Sequence, residues 1–244
     1  MKEHDEKLEA GTIVVQNRFV RWLDNLWYHY KWHIILIAFF AIVFGVGFAQ
    51  CATADHPDAM VTYAGGYTLS AKESEDIGAL FSNLLSKKNG ETEKVKLNHY
   101  PIYTEDELRA MCIDPKTGHV DSFAYSSENQ GNQDQIRTFQ SFCMTGENAV
   151  WLVSEWVYGN LIDDDQRLVP LEQVLGYTPE NAYNPYAIRL ADTEFYRYYE
   201  VLQLLPEDTL LVFASGTVMG ATSDAEVYEL YKQLFRAIVE FRPN

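Results

Sequence analysis

The chain has 244 residues, with 35 Asp plus Glu against 19 Lys plus Arg and a formal net charge of −16. A hydrophobic content of 47% supports a packed core and excludes wholesale disorder, and three cysteines exclude a small disulfide-stapled scaffold. The acidity argues against phosphate-backbone recognition, which needs clustered Lys and Arg to displace counterions, so nucleic acid is not an expected partner.

The first informative stretch is Ile34 to Ala49, sixteen residues without a charge. Counting back to Trp27 extends it to about the 20 residues that cross a bilayer as a helix. Trp27, Tyr28, Tyr30 and Trp32 stand where an interfacial aromatic belt lies, with Arg18, Arg21 and Lys31 close by, and no Lys or Arg occurs between Cys51 and Ser70. The positive-inside rule then puts the N-terminus in the cytoplasm. The expected organisation is a cytoplasmic arm and interfacial segment over 1–26, a transmembrane signal anchor over 27–50, a linker over 51–57 and an extracytoplasmic domain over 58–244. Cleavage after Ala54 and lipid attachment at Cys51 are alternatives to a permanent anchor. Phe19, Trp22, Leu23, Leu26 and Tyr30 have helical spacing, which fits either an amphipathic helix on the inner leaflet or a continuation of the membrane helix.

Charge separates along the same line. Up to Cys51 five bases meet five acids, so 14 bases and 30 acids remain beyond it, and the whole of the −16 belongs to the outer domain.

In that domain Asp58 to Ala64 reads as a strand. Gly65-Gly66 follows, and the capping box Ser70 to Glu73 opens a helix with Ile77, Leu80, Phe81, Leu84 and Leu85 on one face. A second strand runs from Val95 to Tyr103, and a second capping box, Thr104 to Glu107, precedes Leu108, Met111 and Cys112. The pattern predicts a helix over 133–144, a strand over 149–153, a short helix over 170–175, a strand over 186–190 and a helix over 192–205 stopped by Pro206. A strand over 209–214 and a last helix after a capping box at Ser223 to Glu226 complete it. Irregular stretches are expected over 114–132 and 160–185. Alternating strands and helices imply an α/β fold with a mostly parallel, doubly wound sheet.

The passage Trp151 to Gly176, an apolar strand followed by a short helix and a Pro-Leu pair, resembles the first lobe of the type 2 periplasmic or extracellular solute-binding proteins. Pro185 to Tyr196 is similar to the strand by which such proteins leave that lobe. The stretch Trp27 to His33 before the membrane helix also resembles bacterial single-pass membrane proteins with a like stretch. The resemblance implies one solute-binding-type lobe, a ligand and a transporter or envelope complex as partner. Between Leu190 and Thr209, however, there is room for only one helix where a two-lobed protein inserts most of its second lobe.

Ligands of open α/β sheets sit beyond the carboxyl ends of the strands, at helix N-termini that favour anions. That rim carries Tyr63, Gly65, Gly66, Tyr67 and Ser70 after the first strand, Thr104 after the second, Ser154, Glu155 and Trp156 after the third and Asp192 after the fourth. These are the candidate ligand-binding residues. The bland reading makes Gly65-Gly66 a turn and Ser70 a cap. Phe195, Tyr196, Tyr198 and Tyr199 are candidate interaction residues, although on one helix some of them must face the core.

No GxSxG elbow, HExxH or Walker loop occurs. His56, His99 and His119 lack metal-site spacing, and Asp163 to Asp165 lacks the alternating ligands and turn glycine of a calcium loop. No enzyme activity, cofactor or metal is expected. Cys112 and Cys143 could form a disulfide or remain buried thiols. The expected function is a membrane-anchored extracytoplasmic binding or protein-interaction module, with a small-molecule or peptide ligand or a membrane-protein complex as partner. The alternatives are a structural subunit of a membrane assembly and an extracellular hydrolase.

Overall fold

The structure, a computed structural model, describes residues 18–53, 57–85, 93–162, 164–218 and 220–243. Ala54, His56, Asp163 and the first 17 residues lie outside these, as do the side chains of Cys51, Asp164 and Asp165. Two compact units divide the chain, Met1–His56 and Pro57–Asn244.

The first unit holds helix α1, Arg18–Thr53, which has no break between the aromatic stretch and the apolar one. Within it Leu26–Gln50 is long and apolar enough to cross a membrane, and none of that stretch is buried. At 1.5 Å per residue its 25 residues span roughly 37 Å, against about 30 Å of hydrocarbon. Ile37, Phe40, Val43 and Phe44 all stand exposed, as do Trp27, Tyr28, Tyr30 and Trp32.

The second unit is a mixed α/β domain around one six-stranded sheet. Its elements are β1 Ala59–Gly65, α2 Ala71–Leu84, β2 Val95–Pro101, α3 Glu105–Met111, α4 Ser122–Thr145, β3 Val150–Val153, α5 Glu155–Leu161, α6 Asp164–Arg167 and α7 Leu171–Leu175. After these come β4 Ala182–Asn184, β5 Ala187–Arg189, α8 Glu194–Tyr198, β6 Leu210–Phe213 and α9 Ala225–Val239. The strand order is β2-β1-β3-β6-β5-β4. β1 pairs in parallel with both β2 and β3, placing Val61 against Leu97 and Val150. β6 is antiparallel to β3 and to β5, and β5 to β4.

The α/β class therefore holds, while the sheet expected to be mostly parallel is parallel only over β2-β1-β3. The reason lies between β5 and β6. A parallel return needs a crossover long enough to carry the chain back along the sheet. The single helix expected over 192–205 is instead three short pieces, the 3-10 turn Leu190–Asp192, α8 and the 3-10 turn Glu200–Leu204, with Tyr199 extended between the last two. Chain that doubles back so soon enters β6 from the end at which it left β5. The hairpin partner β4 falls in the stretch expected to be irregular, where Asn184-Pro185 marks the turn. Helix α4 starts eleven residues before the expected 133, because Asp121 caps it by accepting from the N–H groups of Phe123 and Ala124. The last helix is capped by Asp224 rather than Ser223.

Side chains alternate across the strands and build a core on each face of the sheet. Val61, Tyr63, Val150, Leu152, Leu211 and Phe213 face α2, α7, α8 and α9, whose Phe81, Leu171, Phe195 and Phe235 are fully buried. Ala64, Trp151, Val153, Leu210 and Val212 face α4 and α5, meeting Phe139 and Val157. The continuous apolar runs in β3 and β6 follow from burial on both sides.

A polar network lies inside the second core. Asn148 donates from Nδ2 to Thr62 Oγ1 at 2.7 Å and accepts the Trp151 indole N–H at 2.6 Å, and all three residues are buried. Asn148→Ala leaves two buried groups without partners, so it should cost about 2–4 kcal/mol, whereas Gln133→Ala on the exposed face of α4 should change stability by less than about 0.5 kcal/mol. Urea unfolding of the two variants followed by near-ultraviolet circular dichroism measures the difference.

Candidate functional site

The chain reverses its winding direction at β1 and β3. β2 lies on one side of β1 and β3 on the other, so the carboxyl ends of β1 and β3 form the edge at which open α/β sheets bind their ligands. Most of the sequence-derived rim residues collect there. A Cβ on Gly65 would stand 3.3 Å from Ser154 Cβ and 2.7 Å from the Tyr63 hydroxyl, so glycine at 65 is what lets the two loops close over that hydroxyl. Space, rather than backbone conformation, is what requires it, since Gly65 and Gly66 are not among the glycines with positive φ. A Cβ on Gly66 would run into the Glu107 carboxylate. The loop after β1 is also tied to the loop after β2 through Thr68 Oγ1 and the Tyr103 hydroxyl.

Tyr63 is fully buried with its hydroxyl accepting the Tyr67 N–H at 3.3 Å. Burial raises its pKa well above the usual tyrosine value, and the charges of Asp208 and Glu107 push the same way against the Tyr67 N–H. The phenol stays protonated as a neutral group buried beneath the rim.

Ser70 and Thr104, expected as helix caps, both cap, and so does the rim candidate Ser154. Their helix ends are nevertheless not vacant anion sites. Ser70 Oγ accepts the Glu73 N–H at 3.2 Å while Glu73 Oε2 accepts the Ser70 N–H at 2.7 Å. Thr104 repeats the arrangement, Glu107 Oε2 accepting its N–H at 2.7 Å and its hydroxyl at 2.8 Å. At α5, Ser154 Oγ accepts the Val157 N–H, and Glu155 in the first turn pairs with Arg189. The starts of α2 and α3 thus carry the chain's own carboxylates where a bound anion would sit. The arrangement disfavours a further negative charge and leaves an acidic rim bearing Glu73, Glu107 and Asp208.

Tyr63, Gly65, Gly66, Tyr67, Ser70, Thr104 and Ser154 form one connected set. Glu155 stands apart with Arg189, whose guanidinium also lies 5.4 Å from the centre of the Tyr183 ring. Trp156 packs against the second core beneath α5, and Asp192 lies beyond β5, 3.9 Å from Arg197, in an open groove with Tyr196 and Glu207. Thr68, Tyr103, Glu107, Asp208 and Arg189 are rim residues the sequence reading passed over. Glu107 could have been found, since the capping box itself places its carboxylate at the helix start.

The aromatic candidates divide. Phe195 and Tyr196 are core residues, Phe195 stacking on Phe81 and Tyr196 donating its hydroxyl proton to the Leu205 carbonyl. Tyr199 is half-buried, and Tyr198, 54% exposed, offers a surface beside Phe241. Cys112 and Cys143 are free thiols. Among the described residues no group of three or more His, Cys, Asp and Glu is placed to hold a metal ion.

Glu73 tests the self-capping directly. Hydrogen bonds from the Ser70 backbone and hydroxyl, with a smaller one from Tyr67, hold its pKa below the ordinary 4.5. A lowered folded-state pKa contributes stability that is present above the unfolded value and lost as pH falls through the folded one. Glu73→Gln should therefore lower the thermal midpoint at pH 7, and the gap from the parent protein should shrink on acidification below pH 4.5; a gap independent of pH would contradict the carboxylate's role.

No protein-family model, curated protein or solved structure matches the chain.

Proposed function

We propose that the chain is a single-pass membrane protein whose domain from 58 onward lies outside the cytoplasm and works as a binding or protein-interaction module through the carboxyl rim of its sheet. The observation that carries the anchoring is α1, whose 25-residue apolar stretch has none of its surface buried within the chain. Burying such side chains is worth about 1.5–3 kcal/mol each, and a bilayer offers that burial. The charge asymmetry across the span and its cytoplasmic-side aromatics support an N-terminus inside.

The rim supports a choice of partner. Helix starts filled by Glu73 and Glu107 argue against a small anionic solute there, and the short β5–β6 connection argues against a clamshell that closes around one. A basic or neutral peptide segment of a neighbouring envelope or transporter protein suits an acidic, open rim. A derivation from one lobe of the solute-binding fold, with its doubly wound winding kept around β1 and β3, is part of this proposal. It is supported by the reversal of winding at β1 and β3 and by helices on both faces of the sheet.

The test presents the full chain in lipid nanodiscs with basic, neutral and acidic decapeptides. Basic peptides should be retained over acidic ones, with the preference falling as salt rises, and Thr68→Arg, an exposed change on the rim, should reduce their retention. Equal retention of all three peptide classes would refute the acidic-rim reading.

A further inference from the structure

At the opposite end of the sheet, where α4 finishes and α5 has run back from the rim, the domain has a cleft of about 330 Å³. Met144, Trp151, Leu161 and Ile162 line it together with Cys143 and Arg167. The volume is within the range of small-molecule sites, which pair apolar walls with a few placed polar groups. Arg167 is the charged group of that lining, which also carries the amides of Gln140 and Gln166. Arg109, Arg137, Arg189 and Arg197 each pair with a carboxylate, and Arg236 and Arg242 each bond a carbonyl. The Arg167 guanidinium has no hydrogen bond or ion pair among the described residues. Its backbone is fixed, since its carbonyl accepts the Ser215 N–H at 2.8 Å and the next residue, Leu168, bridges to Ala214.

We infer that this cleft binds a small carboxylate carrying an aromatic or branched apolar body, the carboxylate on Arg167 and the body against Trp151, Met144 and Leu161. A guanidinium presents two parallel N–H donors that match a carboxylate, and an unpaired one in an acidic domain is the local feature that can hold an anion. The thiol of Cys143 belongs to the wall. Burial pushes its pKa up to about 12, against the opposing charge of Arg167, so it stays protonated and recognition is noncovalent. The site is separate from the rim, and its fate does not depend on the rim's partner.

Methionine-methyl NMR of the full chain in nanodiscs tests this with phenylbutyrate and its uncharged analogue phenylbutyramide as probes. Phenylbutyrate should shift the Met144 methyl saturably and leave that of Met111, which is exposed on α3, unmoved. Phenylbutyramide should bind about tenfold more weakly, and Arg167→Gln should weaken phenylbutyrate by about the same factor. The proposal falls if Met144 does not respond at millimolar phenylbutyrate, or if acid and amide bind alike. The amide comparison uses the unaltered protein and so stands even if the variant folds poorly.

Discussion

The ladder between β1 and β3 is the constraint on which the rest of the domain depends. These strands are neighbours in the sheet but not in sequence, separated by α2, β2, α3 and α4, and each is covered on both faces. Their register, Val61 on Val150 through Ala64 on Val153, brings Gly65 against Ser154 and so sets how closely the two rim loops approach. It also brings Thr62 and Trp151 to the same buried amide of Asn148. A slip of one residue would turn Tyr63 and Leu152 from one core to the other and strand that network.

Much of this was legible in the chain. Periodicity placed α2 and α9, apolar runs placed β3 and β6, and local cap chemistry located Ser70 and Thr104 at helix starts. What escaped is settled by tertiary context. The direction of β6 depends on α8 ending at Tyr198, which no local propensity in Phe-Tyr-Arg-Tyr-Tyr announces. The first half of α4 has too few apolar residues to show a periodic stripe, and its Phe123 is exposed. β4 is three residues long and gains its identity only from pairing with β5.

The rim shows the same division. The residue types that gather at a sheet's carboxyl edge were identifiable, because strands and capping boxes locate that edge. Whether their N–H groups remained open to a ligand depended on where two glutamate side chains turn, and both turn inward onto their own caps. Glu107 then reaches a neighbouring loop at Gly66, which joins two separate caps into one acidic surface. Arg189 and Arg167 illustrate the converse. Both are bases in a strongly acidic domain, yet one is neutralised by Glu155 and the other lines a partly apolar cleft with no partner among the described residues.

The proposed function joins two halves of the chain by one claim, that the acidic domain stands on the far side of a membrane from the N-terminus. A version with Cys51, Cys112 and Cys143 replaced by serine and a single cysteine placed at exposed Lys116 permits the direct measurement. A membrane-impermeant maleimide applied to intact cells should label that cysteine as fully as it does after permeabilisation. Labelling that appears only after permeabilisation would place the domain in the cytoplasm and contradict the account.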